Sequence, residues 1–582
     1  MLAPLDGAVI AAYLLFALVV GLASRVRGSE GRESFFLADR SLPWWWAGTS
    51  IAATTFAADT PLAITGIVAS RGFAGNWMWL SWLVVHAAVA TLFARRWWRA
   101  GVVTDAEFLA LRYQGREAAW LRSARAALYG LVYNVIILGW VLRAMGKIVQ
   151  PLVDWEAWAP WLVTVAERLL PASSTLGSPA EAITVVLLVA LVALYATVGG
   201  LRGVVRTDLV QFALGLAGSI WLALAAWQAV GGRRGIRSGL AEHYAHRLDE
   251  LVRFVPSASE GWGGAVGLGA FGLGLYLLVQ SYANVPADGG GYLQQRLSAA
   301  RSERDAEHAA LLFVVLQYAV RIWPWLVVAF AAMVLVPVGG EVATLGPSLG
   351  PMVAADREMA YPALMLTLLP PGALGLLVVS LLAAFMSTVD THFNWGASYA
   401  VTDVALRLRP DLSPAAQVRV ARLAVLGFSV AAVIVAVHIA RIEQAWRWVA
   451  ALGAALGVPT LARWLWWRVT ARAELGSAAV GLATAAWLLL DGALSHELQL
   501  VVTSAVSGVA LLLLIATGTP QTAEQVAAFM ARVRPIGWWP AAAASAEPVE
   551  ARQGLREALL RFAALVVSLL LLLRLGAWWL LG

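Results

Sequence analysis

The chemistry of this sequence centres on residues 380–403, an apolar stretch that turns polar without losing its helical pattern. At about 100° per residue, Thr388 lies at the margin of a polar face whose members are Ser387, Asp390, Thr391, Asn394 and Ser398. Hard cations such as sodium take oxygen ligands of these kinds. Interhelical hydrogen bonding would account for the hydroxyls alone, but a carboxylate at membrane depth favours a cation beside it.

The composition of the chain is that of a polytopic membrane protein. Of its 582 residues, 60% are hydrophobic and 13% are charged, which predicts an all-α fold with about fourteen transmembrane helices. The net charge of +7 is assigned to cytoplasmic loops, and nucleic acid is not an expected partner. Cysteine is absent, which excludes disulfides and zinc–thiolate sites.

The distribution of arginine predicts the orientation. Six Arg-rich loops fall on the cytoplasmic side if the N-terminus is outside, as expected for a multi-pass protein of a bacterial inner membrane. The basic stretch at residues 231–254 then lies outside, and its periodicity predicts an amphipathic helix on the membrane surface.

Two of the predicted spans are interrupted in ways that ordinary helices are not. Residues 50–66 surround Asp59 and Pro61 with small and hydroxyl residues, and residues 283–296 combine Pro286 and Asp288 with three glycines. Unwound backbone at this depth is tolerated where it lines a cavity. Because five positions separate the two spans, two inverted five-helix repeats with discontinuous first helices are predicted. A pair of ordinary proline kinks is the alternative.

On this interpretation the chain is one transport domain with four parts. Residues 1–43 form a leading transmembrane helix and cytoplasmic loop, and residues 44–230 form the first repeat. Residues 263–471 form the second repeat. Residues 477–582 supply three accessory helices and a cytoplasmic linker.

Five motifs then resemble one known family. They are FFLADRSLPWWWAGTSIAA at 35–53, TDAEFLALRY at 104–113, ATVGGLRGVVRTDLVQ at 196–211, QQRLSAARSERDA at 294–306 and LLAAFMSTVDTHFNWG at 381–396. In this order they resemble the sodium:solute symporter family, which has the leucine-transporter-type inverted-repeat fold. In that family, residues 196–211 would form a hairpin between two core helices. The resemblance implies sodium-coupled import of a small polar organic solute by alternating access, without an organic cofactor or an enzymatic reaction.

The resemblance also implies two ion sites. Backbone carbonyls and hydroxyls of the first sodium site correspond to Ala53, Phe56, Ala384, Ser387 and Thr388. A possible second sodium site corresponds to Asp208, Asp390 and Thr391. Asp208 has an alternative interpretation as a helix N-cap at the membrane edge.

The solute site is the least defined part of the sequence. Candidate lining residues are Asp59, Thr60, Trp79, Trp82 and Asp288. Thr60 and Trp79 replace polar residues of the sugar-transporting members, so a hexose is disfavoured. Carboxylates at the cavity favour a cationic, zwitterionic or polyhydroxylated solute. Proton coupling, a non-transporting solute sensor of the same fold and an integral-membrane enzyme are the alternatives, and the expected transport unit is a monomer in the lipid bilayer.

Overall fold

A computed structural model of the chain describes residues 2–23, 31–171, 174, 176, 178–257, 269–283, 286–339, 345–439, 442–540 and 548–582. Helices dominate these ranges, because a segment in lipid must satisfy its own backbone hydrogen bonds. Within the described ranges there is no β-strand, only the isolated bridges Leu42–Ala300 and Trp466–Trp538.

The first half of the chain contains fifteen described α-helices: α1 Pro4–Ala23, α2 Gly31–Leu37, α3 Trp44–Thr54, α4 Asp59–Arg71, α5 Trp77–Leu80, α6 Leu83–Ala88, α7 Ala94–Ala100, α8 Glu107–Arg112, α9 Arg116–Ala127, α10 Asn134–Val149, α11 Trp155–Trp158, α12 Pro160–Leu169, α13 Pro179–Ala229, α14 Gly232–Tyr244 and α15 Leu248–Val252. The described helices of the second half are α16 Gly269–Ala283, α17 Tyr292–Ala299, α18 Glu303–Val315, α19 Ile322–Leu335, α20 Gly346–Ala355, α21 Ala360–Leu368, α22 Ala373–Tyr399, α23 Leu406–Leu408, α24 Pro414–Ala436, α25 Ile442–Leu465, α26 Ala471–Asp491, α27 His496–Thr517, α28 Ala523–Val533 and α29 Pro548–Leu581. Four π-helical segments join neighbouring helices: Val89–Phe93, Leu128–Tyr133, Leu316–Val320 and Ala400–Ala405.

Many of these helices have the length and composition of membrane spans. The described residues contain 10 such helices, or 11 if the bent pair α3 and α4 is one span. Two shorter apolar helices are also present, Pro4–Val20 and Pro179–Leu194. The all-helical membrane fold is confirmed, whereas the count of about fourteen spans stays a prediction.

The region of residues 179–229 is one continuous helix where the resemblance implies two helices joined by a hairpin. A hairpin is predicted within residues 196–211, but α13 is one helix of 51 residues that runs through this region. Within it, Arg202 donates hydrogen bonds to the Ala38 carbonyl at 3.3 Å and to the Asp39 carboxylate at 3.0 Å. The Arg202 guanidinium thus has hydrogen-bond acceptors although no loop interrupts the helix here. The helix packs against α3 and α22 and carries Asp208 to their junction.

The basic stretch after α13 is helical and has one apolar face. Helix α14 buries Ile236, Leu240 and Tyr244, whereas Arg237 is exposed. This distribution is the amphipathic pattern predicted for residues 231–254, and it leaves the basic side chains away from the protein core.

The first broken span bends by 54° between α3 and α4. Proline lacks the N–H needed in a helix interior, but it fits the first turn of a new helix, where Pro61 lies. The Thr55 hydroxyl completes the end of α3 by lying 3.0 Å from the Ile51 carbonyl. The break therefore exposes the carbonyl end of one half-helix and the amide end of the next to the protein interior.

Candidate functional site

The break in α3–α4 faces the polar side of α22. The Thr388 hydroxyl lies 2.9 Å from the Thr54 carbonyl and 3.0 Å from the Ala384 carbonyl. One turn along α22, the Thr391 hydroxyl lies 3.0 Å from the Thr54 hydroxyl. Oxygen atoms of both helices thus meet in a seam, and all five residues predicted for the first sodium site are buried there: Ala53, Phe56, Ala384, Ser387 and Thr388.

Asp208 joins a third helix to this seam. Its Oδ1 accepts a hydrogen bond from Ser387 at 2.6 Å, and its Oδ2 accepts one from Ser50 at 2.5 Å. The carboxylate is completely buried. The structure therefore brings Asp208 of α13 together with Ser387 of α22 and Ser50 of α3. Asp208 lies inside the long helix α13, so its predicted alternative role as an N-cap does not apply.

A buried arginine that the sequence analysis did not single out accompanies Asp208. The Arg296 guanidinium lies 3.9 Å from Asp208 Oδ2 and donates to the Thr391 hydroxyl at 2.6 Å. It also donates to Ser50 at 3.2 Å. Asp390 is completely buried and interacts electrostatically with the same guanidinium. The predicted second-site residues Asp208, Asp390 and Thr391 therefore share one neighbourhood, which already holds a fixed positive charge.

A cavity of about 90 Å³ adjoins the seam. It contains four of the five residues predicted for the solute site, together with Thr54 and Thr388 of the seam. Its lining residues are Thr54, Thr55, Ala57, Asp59, Thr60, Trp79, Trp82, His86, Tyr133, Ile137, Trp140, Val141, Tyr292, Gln317, Arg321, Thr388, His392 and Trp446. A pocket with several aromatic walls and a few convergent polar groups is typical of a small-molecule site.

Asp288 is the predicted solute residue that lies outside this cavity. Its Oδ2 accepts hydrogen bonds from Arg463 at 2.5 Å and from Trp464 at 2.7 Å. Arg125 lies 3.9 Å from its Oδ1, and Trp97 donates to its backbone carbonyl at 2.7 Å. The carboxylate is thus fully engaged by buried cationic and indole groups from other helices. Sequence alone could not give the direction in which an unwound segment points this side chain.

The glycines that follow Asp288 allow a close approach of the backbone. Gly289 and Gly291 have φ of 73° and 75°, a region that favours glycine. A Cβ atom on Gly290 would lie 2.6 Å from Asp105 Oδ2. Gly290 is therefore packed against the buried Asp105–Arg125 ion pair, whose shortest N–O distance is 2.7 Å. Gly289 and Gly291 approach Val89 and Trp395, and none of the three glycines lines the solute cavity.

Comparison with known proteins places this geometry in context. A model described as the sodium:solute symporter family matches residues 35–170 and 172–481. The sodium/glucose cotransporter 4 of Danio rerio is 25% identical over 445 residues, which are 72% of this chain and 61% of that protein. The sodium/myo-inositol cotransporter 2 of Homo sapiens is 26% identical over 451 residues, 73% of this chain and 60% of that protein. The chain thus matches about three fifths of the length of these relatives.

A solved structure shares the architecture. A substrate-bound, outward-open Na+-coupled sialic acid symporter superposes with a TM-score of 0.70 at 17% identity, covering 89% of this chain and 99% of that one. At this level of identity the likeness establishes a common fold.

Proposed function

Because the chain belongs to the sodium:solute symporter family, we propose that it is a sodium-coupled secondary active transporter. It imports a small polar organic solute by alternating access. The named relatives carry glucose and myo-inositol.

One observation carries the proposal. Thr388 lines the solute cavity, and its hydroxyl also lies among the carbonyl oxygens of the seam. A sodium ion bound by Thr388 together with carbonyls of Ala53, Phe56 and Ala384 would therefore contact the wall of the solute cavity. Ser387, the fifth residue predicted for this site, instead donates its hydroxyl hydrogen to Asp208. Binding of the ion would fix the position of that wall, and by linkage the solute would strengthen the binding of sodium equally.

The charges around Asp208 support a second ion. The counter-charge of the buried Asp208 carboxylate is Arg296, which lies 3.9 Å away and also interacts with Asp390. A buried carboxylate that shares its counter-charge is costly unless a further cation neutralises it. We propose that a second sodium binds at Asp208, with the hydroxyls of Ser50 and Ser387 as additional oxygen ligands, while Arg296 holds Thr391 and compensates Asp390.

The wider arrangement follows from the same family membership. We propose two inverted repeats at residues 44–230 and 263–471, a monomeric transport unit, and insertion in the cell membrane with the N-terminus outside. The arginine distribution among the loops supports that orientation.

The experiment for the first site compares Thr388→Ala with Thr164→Ala. Both hydroxyls lie near the carbonyl four residues earlier, at 3.0 Å and 3.1 Å, but Thr164 is exposed on α12. The measurement is the thermal stability of purified protein titrated with sodium against a potassium background, since a bound ion stabilises the folded state. We expect Thr388→Ala to require at least about tenfold more sodium, equivalent to about 1.4 kcal/mol, and Thr164→Ala to behave as wild type. Identical sodium titrations of all three proteins would contradict the site.

A further inference from the structure

The proposed transporter leaves its solute class open, and the cavity carries information on it. Resting on the proposed function, we propose that the solute is a small zwitterion. Its cationic nitrogen pairs with Asp59, and its carboxylate pairs with Arg321.

Asp59 is the acidic group of the cavity. Its side chain is 2% exposed, and its Oδ1 has no hydrogen-bond partner among the described residues. The residue begins α4, where the amide end of the helix favours a negative charge. This contribution makes the buried carboxylate tolerable, but it leaves one oxygen available on the cavity side.

Arg321 is the basic group of the same cavity and is 1% exposed. Its guanidinium donates to the Ala52 carbonyl at 2.6 Å, to the Thr55 carbonyl at 2.7 Å and to the Thr55 hydroxyl at 3.0 Å. These acceptors form the carbonyl end of α3, which favours a positive charge. The Nε atom has no hydrogen-bond partner in the described part of the chain.

Asp59 and Arg321 interact electrostatically in the cavity but do not form an ion pair in direct contact. In the ranges that the structure describes, neither Asp59 nor Arg321 has an oppositely charged side chain within 4.0 Å. Burying an ionised group without a counter-charge is expensive, and one solute that carries both charges removes both costs. A neutral polyol would neutralise neither group. A simple amine would leave Arg321 uncompensated, and a simple carboxylate would leave Asp59 uncompensated.

The size and walls of the cavity fit such a solute. Its volume of about 90 Å³ is smaller than that of a roughly 150 Å³ cavity that binds benzene, which favours a small solute. Four indoles line it: Trp79, Trp82, Trp140 and Trp446. Aromatic faces attract a cationic nitrogen and accept its apolar substituents.

The first experiment uses matched ligands. Purified protein in sodium is titrated by intrinsic tryptophan fluorescence with glycine, proline and glycine betaine, then with glucose and myo-inositol. Pyrrolidine and cyclopentanecarboxylate serve as proline analogues that lack the carboxylate and the nitrogen. We expect at least one zwitterion to bind and, if that is proline, to bind at least tenfold more tightly than either analogue. Binding of glucose or myo-inositol without binding of any zwitterion would overturn the solute class.

The second experiment tests the two charges with variants. For the zwitterion that binds, we expect Arg321→Gln and Asp59→Asn each to weaken affinity at least tenfold. The amine analogue, which lacks the carboxylate, should bind Arg321→Gln within threefold of its wild-type affinity. The acid analogue, which lacks the nitrogen, should bind Asp59→Asn within threefold of its wild-type affinity. Arg116→Gln and Glu156→Gln change exposed residues and serve as controls. Combining each variant with each ligand analogue isolates the energy of the contact between that side chain and one charged group of the solute.

Equal losses for zwitterion and amine in Arg321→Gln would assign Arg321 a purely structural role and overturn the proposal. If Arg321→Gln does not fold, Arg321→Lys is used instead. Because it keeps the positive charge, it should keep the preference for the zwitterion over the amine, and loss of that preference would overturn the proposal. Repeating the titrations in potassium distinguishes a failure of sodium coupling from a failure of the proposed solute class. Equal zwitterion affinity in sodium and potassium would contradict sodium coupling while supporting the solute class. Sodium-dependent binding of a sugar alone would do the reverse.

Discussion

Replacing Asp208 by Asn tests whether its carboxylate holds a sodium ion. The variant keeps one oxygen acceptor, for either Ser50 or Ser387, replaces the other oxygen with an amide nitrogen and removes the negative charge. The Arg296 guanidinium lies 3.9 Å away, and two unit charges at that distance interact by about 4 kcal/mol at an effective dielectric constant of 20. A sodium ion in contact with the same carboxylate has an interaction of the same order.

We expect roughly half of that interaction to be lost for sodium, because the amide oxygen remains a ligand. A loss of about 2 kcal/mol corresponds to a roughly 30-fold rise in the sodium concentration needed for half-maximal stabilisation. With one of two ions weakened, the Hill coefficient for sodium should fall from about two toward one, and Asp390→Ala should have the same effect. The assay is a full sodium titration of thermal stability and of solute binding.

Asp403→Asn is the matched control. Asp403 is buried and ion-paired with Arg122 at 2.6 Å, but it lies roughly 24 Å along the helix from Ser387 at 1.5 Å per residue. The control should lose stability and keep the wild-type sodium titration. A wild-type protein with a Hill coefficient near one, or an Asp208→Asn protein with unchanged sodium dependence, would refute the second ion.

Two further predictions concern the segment that follows α16. Gly290→Leu should abolish solute uptake, because its Cβ would lie 2.6 Å from Asp105 Oδ2, whereas Gly427→Leu has open space around it and should transport normally. Wild-type uptake by Gly290→Leu would show that the glycine run tolerates bulk. Asp288→Asn should lower the free energy of unfolding by about 1–3 kcal/mol, because Arg463 loses one of its two counter-charges and keeps only Glu474 at 3.0 Å, while solute affinity stays unchanged. Thermal unfolding and ligand titration measure the two quantities, and a loss of affinity without a loss of stability would return Asp288 to the solute site.

Much of the architecture could be predicted from the sequence. The family and the helical membrane fold are confirmed, because ordered motifs and apolar segments are strong one-dimensional signals. The break before Pro61 was predictable for a local reason, since proline cannot continue a helix interior. The polar face of α22 followed from helical periodicity, and the structure brings Thr388 of that face against Thr54 of the broken helix.

Other features depend on contacts between distant segments. Arg296 and Arg321 are single basic residues in helical stretches, and nothing in their local sequence indicates that one meets Asp208 and the other meets the end of α3. Asp288 has the sequence context of a cavity residue, but Arg463, which binds it, lies 175 positions away in the chain. Within the continuous helix at residues 196–211, Arg202 likewise contacts Asp39, which is 163 positions away in the chain.

The most direct test of the central claim is uptake into proteoliposomes that contain the purified protein. Labelled proline, glycine betaine, glucose and myo-inositol are each supplied with an inward sodium gradient, with an inward proton gradient, or with potassium alone. The account predicts that one of these solutes accumulates above its external concentration only with the sodium gradient, and that Thr388→Ala shifts the sodium requirement upward. Equal accumulation with the proton gradient in the absence of sodium, or uptake that never exceeds equilibration, would contradict sodium-coupled transport.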